Sequence, residues 1–155
     1  MNIDDKHKAL HAYFTRASSI REVLMRMPQV FDATHGAAAP ESLRPMLLAF
    51  EAHNVLAVFY GLMFVVIEGL QDCNVKDEKL EELFASEHLD RFRRFRNAIF
   101  HFQPTFPVSA KQFDFMVEAD SEKWAQSVWR ELNRWFSNNV ARPVLAQHAA
   151  ADDEK

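Results

Sequence analysis

Apolar side chains recur every three, four or seven positions along much of this chain, which is the period of an amphipathic α-helix. The first such segment spans residues 3 to 31, with charged residues between the apolar positions Leu10, Phe14, Ile20, Leu24 and Met27. This pattern predicts one amphipathic helix over 3 to 31. Residues 32 to 40 contain a glycine, a proline and several alanines, and they predict a linker.

A second helix is predicted from residue 41 to 70, because Pro40, Glu41 and Ser42 suit a first helical turn. Its stretch from 55 to 67 is thirteen residues without a charge and is apolar almost all round. Such a stretch is typical of a central helix that several neighbours cover. It is shorter than the roughly 20 residues that a membrane helix needs, so we expect a buried helix and no membrane association.

Three more helices are predicted towards the C-terminus. A short, acid-capped helix covers 77 to 84, and one from 87 ends just after His101. Asp120 or Ser121 caps the last helix, which carries Trp124, Val128, Leu132, Trp135 and Phe136 at helical spacing. The proline-containing segment from 104 to 119 predicts an extended connection over the core. The fold class is therefore all-α, an up-and-down bundle of about five helices. It forms one domain over residues 1–141, with a frayed acidic tail over 142–155.

Composition narrows the functional classes. The 155 residues include three glycines, too few for many β-hairpin turns, and a single cysteine, Cys73, which excludes an intramolecular disulfide and a cysteine-based zinc site. We therefore expect a cytoplasmic protein. The net charge of −4 argues against a protein that coats nucleic acid with its whole surface. The chain has no glycine-rich phosphate loop, no His-Glu-x-x-His and no Gly-x-Ser-x-Gly motif, so neither cofactor nor metal is predicted.

The segment RFRRFRNAIFH, residues 91 to 101, holds four arginines among phenylalanines. With Leu89 at zero on a helical wheel, Arg96 falls at about 340°, inside the apolar sector, whereas Arg91 and Arg94 fall near 200° and 140°, where water or phosphate can reach them. A guanidinium in an apolar sector needs an anion, a carboxylate or a second subunit. Without a functional role, Arg96 would extend to solvent or pair with a carboxylate such as Glu68 or Glu51.

Asn97 and His101 lie four residues apart, close to the end of the same predicted helix. Histidine titrates near neutral pH, an arginine can stabilise a phosphorane-like transition state, and an amide can orient its neighbours. Arg96, Asn97 and His101 could therefore cleave RNA without a metal by activating the ribose 2′-hydroxyl. Alternatively, His101 only caps the helix C-terminus.

Glu68 interrupts the apolar run VVIEGL, so its carboxylate needs a partner. An arginine or histidine of the segment 91 to 101 is the natural one, and Glu68 would then orient the site. The alternative is that Glu68 lies at a solvent-facing edge of its helix.

Arg96-Asn97-Ala98-Ile99-Phe100-His101 resembles the Arg-polar-x-x-x-His signature of the HEPN superfamily, all-helical domains that include metal-independent ribonucleases. The resemblance implies catalytic roles for Arg96, Asn97 and His101, and a homodimer in which two motifs meet across a twofold axis. We expect Arg91, Arg93 and Arg94 to bind RNA. The expected products are a 2′,3′-cyclic phosphate and a 5′-hydroxyl.

Many toxin-type members of that superfamily are paired with an antitoxin protein, and a toxin or defence role is expected on the same ground. Other relatives with the motif have no known nuclease activity. The alternative function is therefore a non-catalytic helical module that binds a nucleotide, RNA or a partner protein.

Overall fold

The computed structural model describes residues 5–35, 38–101 and 115–146. The α-helices that have both ends within these ranges are α1 (Asp5–Met25), α2 (Met27–His35), α3 (Arg44–Asp72), α4 (Glu78–Phe84), α5 (Glu87–Phe100) and α6 (Ser121–Phe136). A π-helical turn, Ser137–Ala141, continues α6, and residues 142–146 are helical again. No strand occurs in these ranges. The predicted all-α helical bundle is confirmed.

The central element is α3, which is 29 residues long. Its buried side chains include Phe59, Met63, Phe64, Ile67 and Leu70. α1 packs along it, with Leu10 lying against Gly69 so closely that a Cβ at position 69 would overlap the leucine. By length and composition alone, α3 could cross a membrane. In this fold it is covered by α1, α2 and α5, as expected of a core helix.

Aromatic rings join α5 and α6 to α3. The ring centroid of Phe92 lies 5.2 Å from that of Tyr60, 4.9 Å from Phe115 and 5.4 Å from Trp124. Of the connection predicted over 104 to 119, residues 104–114 lie outside the described residues. Residues 115–117 are helical rather than extended, and the Phe115 side chain is buried in the core with 1% exposure.

The predicted first helix is interrupted at Arg26, so that 3 to 31 is not one helix. Pro28 causes the break: it has no N–H to donate to the carbonyl of Leu24, and its ring would collide with that carbonyl. The amide of Arg26 donates to the Val23 carbonyl over 3.0 Å, and α2 then begins at Met27. Residues 32–35, expected in the linker, belong to α2.

The start of α3 also differs from the prediction, because residues 41–43 form a turn. The amide of Leu43 donates to the Pro40 carbonyl over 2.9 Å. The helix begins at Arg44, which places Pro45 in the first turn, where a missing N–H leaves no hydrogen bond unmade.

Side-chain caps begin both α4 and α5. Asp77 accepts a hydrogen bond from the Leu80 amide over 3.2 Å, and Ser86 accepts one from the His88 amide over 3.3 Å. Arg134 of α6 donates to the Asp77 carboxylate over 2.6 Å. One aspartate therefore caps α4 and connects it to α6.

Truncating Phe92 should be costly, because it is completely buried and contacts rings of three other segments. We expect Phe92→Ala to lower the free energy of unfolding by about 3–5 kcal/mol, measured by urea denaturation. Met46→Ala is the control, since Met46 is 62% exposed, and its effect should stay within about 0.5 kcal/mol. Equal losses in the two variants would contradict this description of the core.

Burial raises the pKa of the Asp77 carboxyl, but hydrogen bonds from Arg134, Leu80 and Lys79 lower it by more, so the net pKa lies below its usual value. The carboxylate thus stabilises the fold above about pH 3.9, the unfolded value, and this contribution is lost as the pH falls through the folded pKa. Asp77→Asn retains a capping side chain and removes the charge.

We expect Asp77→Asn to be less stable than the wild type at pH 7 and the difference to narrow as the pH falls below about 4, in urea melts across this range. Asp5→Asn, at an exposed site, controls for the loss of one negative charge. A stability difference that stays constant with pH would exclude the charge of Asp77 as the cause.

Candidate functional site

The position of α5 is fixed by its buried side, which consists of Leu89, Phe92, Phe95 and Ala98. Its arginines lie on the remaining surface. The helix ends at Phe100, and the amide of His101 donates to the Asn97 carbonyl over 3.1 Å. His101 itself has an extended backbone, with φ −107° and ψ 137°, and it is the C-cap of α5.

Arg96 lies between α5 and α3 with its side chain 24% exposed. Its Nη2 is 2.5 Å from Oε2 of Glu68, and its Nη1 donates to Oδ1 of Asn97 over 2.9 Å. The guanidinium carbon lies 5.1 Å from the centroid of the Phe64 ring. Glu68 is thus the carboxylate partner of Arg96. Glu51 contacts His35 over 2.9 Å instead.

A cleft of about 240 Å³ lies beside this ion pair. Its lining residues, which define the motif cleft, are Gly61, Leu62, Val65, Arg96, Phe100 and His101. On an ideal helix, Arg96 and His101 would be about 140° apart. In the structure both residues nevertheless line the cleft, and His101 follows the last helical residue, Phe100, with an extended backbone.

Gly61 and Phe100 shape the motif cleft, and neither was singled out from the sequence. A Cβ at position 61 would overlap the ring of Phe100, so the absence of a side chain allows the ring to lie over α3. The ring is 54% exposed. The available signal was a lone glycine within an apolar helical run, which marks a close approach by another group.

The remaining predicted residues differ in their surroundings. Asn97 is half-buried and bonds to Arg96 but does not line the cleft, so it orients the guanidinium. Arg91 is 3.1 Å from Glu87 and 3.0 Å from Glu118, and Arg93 is 3.0 Å from Asp90. Arg94 is exposed and has no ion pair within the described ranges. The three arginines predicted to bind RNA are therefore not equally available to an anion.

The described part of the chain contains no group of three or more His, Cys, Asp or Glu residues that could hold a metal ion.

Comparisons with models of protein families, with curated proteins and with solved structures give no match to this chain. The geometry of the motif cleft is therefore the basis for a functional proposal.

The Arg96–Glu68 pair should contribute little to stability, because the Glu68 side chain is 42% exposed and water screens the interaction. In a double-mutant cycle with Arg96→Gln and Glu68→Gln, we expect a coupling energy of about 0.2–1 kcal/mol, measured by urea denaturation. A coupling above about 2 kcal/mol would instead assign the pair to the structural core.

Proposed function

We propose that this protein is a metal-independent endoribonuclease of HEPN type. The observation that carries the proposal is that Arg96 and His101 line one cleft although helical geometry alone would separate them. A guanidinium and an imidazole beside one small cavity are the groups that phosphate-ester cleavage without a metal requires.

In the proposed reaction, the ribose 2′-oxygen forms a bond to the adjacent phosphorus and the bond to the 5′-oxygen breaks. The 2′-hydroxyl loses a proton and the leaving 5′-oxygen gains one, which gives a 2′,3′-cyclic phosphate and a 5′-hydroxyl. Arg96 binds the phosphate and stabilises its additional negative charge. His101 transfers a proton, and Asn97 orients the guanidinium.

Glu68 and Asn97 leave part of the Arg96 guanidinium available. Of its five N–H donors, the hydrogen bonds to Glu68 and Asn97 involve Nη2 and Nη1. Glu68 therefore acts as a positioning residue: it holds the arginine beside the cleft, with donors left for a phosphate. Arg94 is the arginine of this helix best placed to bind the RNA backbone, because no described carboxylate pairs with it.

A homodimer is part of the proposal. The motif cleft of one protomer contains one histidine, whereas the reaction needs one group that removes a proton and another that supplies it. Two clefts that face each other would provide both. The exposed apolar residues Phe50, Val58 and Phe100, on α3 and at the end of α5, support a contact between copies in this region.

The non-catalytic alternative is supported by the bonding of Arg96, which already has Glu68, Asn97 and the Phe64 ring as partners. In that case, the same groups would hold a dimer or bind a partner protein, a nucleotide or RNA without cleaving it. The open cleft beside them favours the ribonuclease.

The proposal is tested by incubating purified protein with labelled RNA in EDTA and mapping the product ends. We expect cleavage to 2′,3′-cyclic phosphate ends, and His101→Ala should reduce the rate by about 10²-fold or more. His35→Ala is the matched control, since His35 is another exposed histidine at a helix end and should retain full activity.

Two outcomes would contradict the proposal. If His101→Ala cleaves as fast as the wild type, His101 has no role in the reaction. If neither protein cleaves a mixture of structured and unstructured RNAs, the non-catalytic module is favoured, and binding of the same RNAs then decides whether RNA is its ligand.

A further inference from the structure

A second cavity lies between α1, α3 and α6 and has a volume of about 430 Å³. We call it the α1–α6 pocket, and its polar lining consists of Arg21, Tyr60, Glu122, Gln126 and Arg130. It shares no lining residue with the motif cleft. Its volume lies within the range of roughly 300–1,000 Å³ that is usual for small-molecule sites.

The two arginines of this pocket have no carboxylate partner among the described residues. Arg21 lies 5.6 Å from the centroid of the Trp129 ring, and Nη2 of Arg130 donates to Oγ of Ser127 over 3.0 Å. Other arginines do pair with described carboxylates, namely Arg26, Arg44, Arg91, Arg93, Arg96 and Arg134.

Arg21 belongs to α1 and Arg130 to α6, so the fold brings two guanidiniums to one cavity from helices far apart in the chain. Like charges that line one cavity repel each other, and an anion between them removes that repulsion. The planar guanidinium fork matches a phosphate or carboxylate group. The arrangement therefore favours an anionic ligand.

The other polar groups limit what else the ligand contains. Glu122 accepts a hydrogen bond from Nε2 of Gln126 over 3.0 Å and forms no ion pair with either arginine, so the lining has a net charge of about +1. Burial and the nearby Glu122 carboxylate raise the pKa of Tyr60 to about 12, so its hydroxyl stays protonated and can donate a hydrogen bond. A ligand with one anionic group would neutralise the net positive charge of the lining.

The apolar part of the lining consists of Met25, Phe59, Ala125 and Trp129. The Phe59 and Trp129 rings meet edge to face, with centroids 5.4 Å apart. Met25 is 65% exposed, and its flexible thioether can close over a bound molecule. These side chains suit a flat ring, since aromatic and methionine surfaces pack well against one.

We propose that the α1–α6 pocket binds a small organic anion in which an aromatic ring carries a phosphate or carboxylate group. Arg21 and Arg130 hold the anionic group, and the ring packs against Phe59 and Met25. The α1–α6 pocket is a different cavity from the motif cleft, because the two share no lining residues, and the proposal does not rest on the ribonuclease activity.

The test measures binding of phenyl phosphate, benzoate and the neutral benzyl alcohol to the full chain by calorimetry. We expect saturable binding of at least one anion, and the comparison of the two identifies the preferred head group. Benzyl alcohol should bind at least about 10-fold more weakly. Arg21→Gln and Arg130→Gln should each weaken anion binding by about 10-fold or more.

Arg16→Gln is the matched control, because Arg16 is on α1, lies over Tyr13 at 5.2 Å and does not line the pocket. Its anion affinity should equal that of the wild type. Thermal melts show whether Arg21→Gln and Arg130→Gln are folded. If one of them fails to fold, the other still tests the proposal. The proposal is overturned if neither anion binds at about 10 mM, if benzyl alcohol binds as tightly, or if a folded pocket variant retains full affinity.

Discussion

The burial of Phe92 and Phe95 against α3 determines where every polar group of α5 lies. Both rings are completely buried, and both contact Tyr60. With that side of the helix facing inward, Arg96 has to lie along the boundary between α5 and α3. Glu68 and the Phe64 ring are the groups that it meets there. The motif cleft is thus a consequence of how the aromatic core packs.

Local signals in the sequence were sufficient for several features. Asp77 and Ser86 are good N-cap residues, and α4 and α5 begin immediately after them. Glu68 stands alone in an apolar run, which required a partner from another helix, and the partner is Arg96. In each case the chemistry of one side chain, a helix cap or a carboxylate that needs a partner, is enough to predict the local structure.

Other features escaped prediction for physical reasons. The apolar period continues across Pro28, which predicted a single helix over residues 3 to 31. The helix nevertheless ends before this proline, because proline has no N–H to continue the hydrogen-bond pattern. α3 is apolar almost all round, so its pattern does not indicate which side faces α5. The contact between Gly61 and Phe100 therefore could not be predicted from the sequence. The ion pair of Arg91 with Glu118 joins a residue of α5 to a bend that precedes α6, and the spacing of charges along one helix contains no information about it.

Gly61 has a consequence for the shape of the motif cleft. A single methyl group at this position would displace the Phe100 ring, and with it one wall of the cleft that Arg96 and His101 share. The Arg-x-x-x-x-His spacing therefore does not determine the cleft by itself. A variant of this chain that keeps the spacing but has alanine or a larger residue at position 61 would present its arginine and histidine on a differently shaped surface.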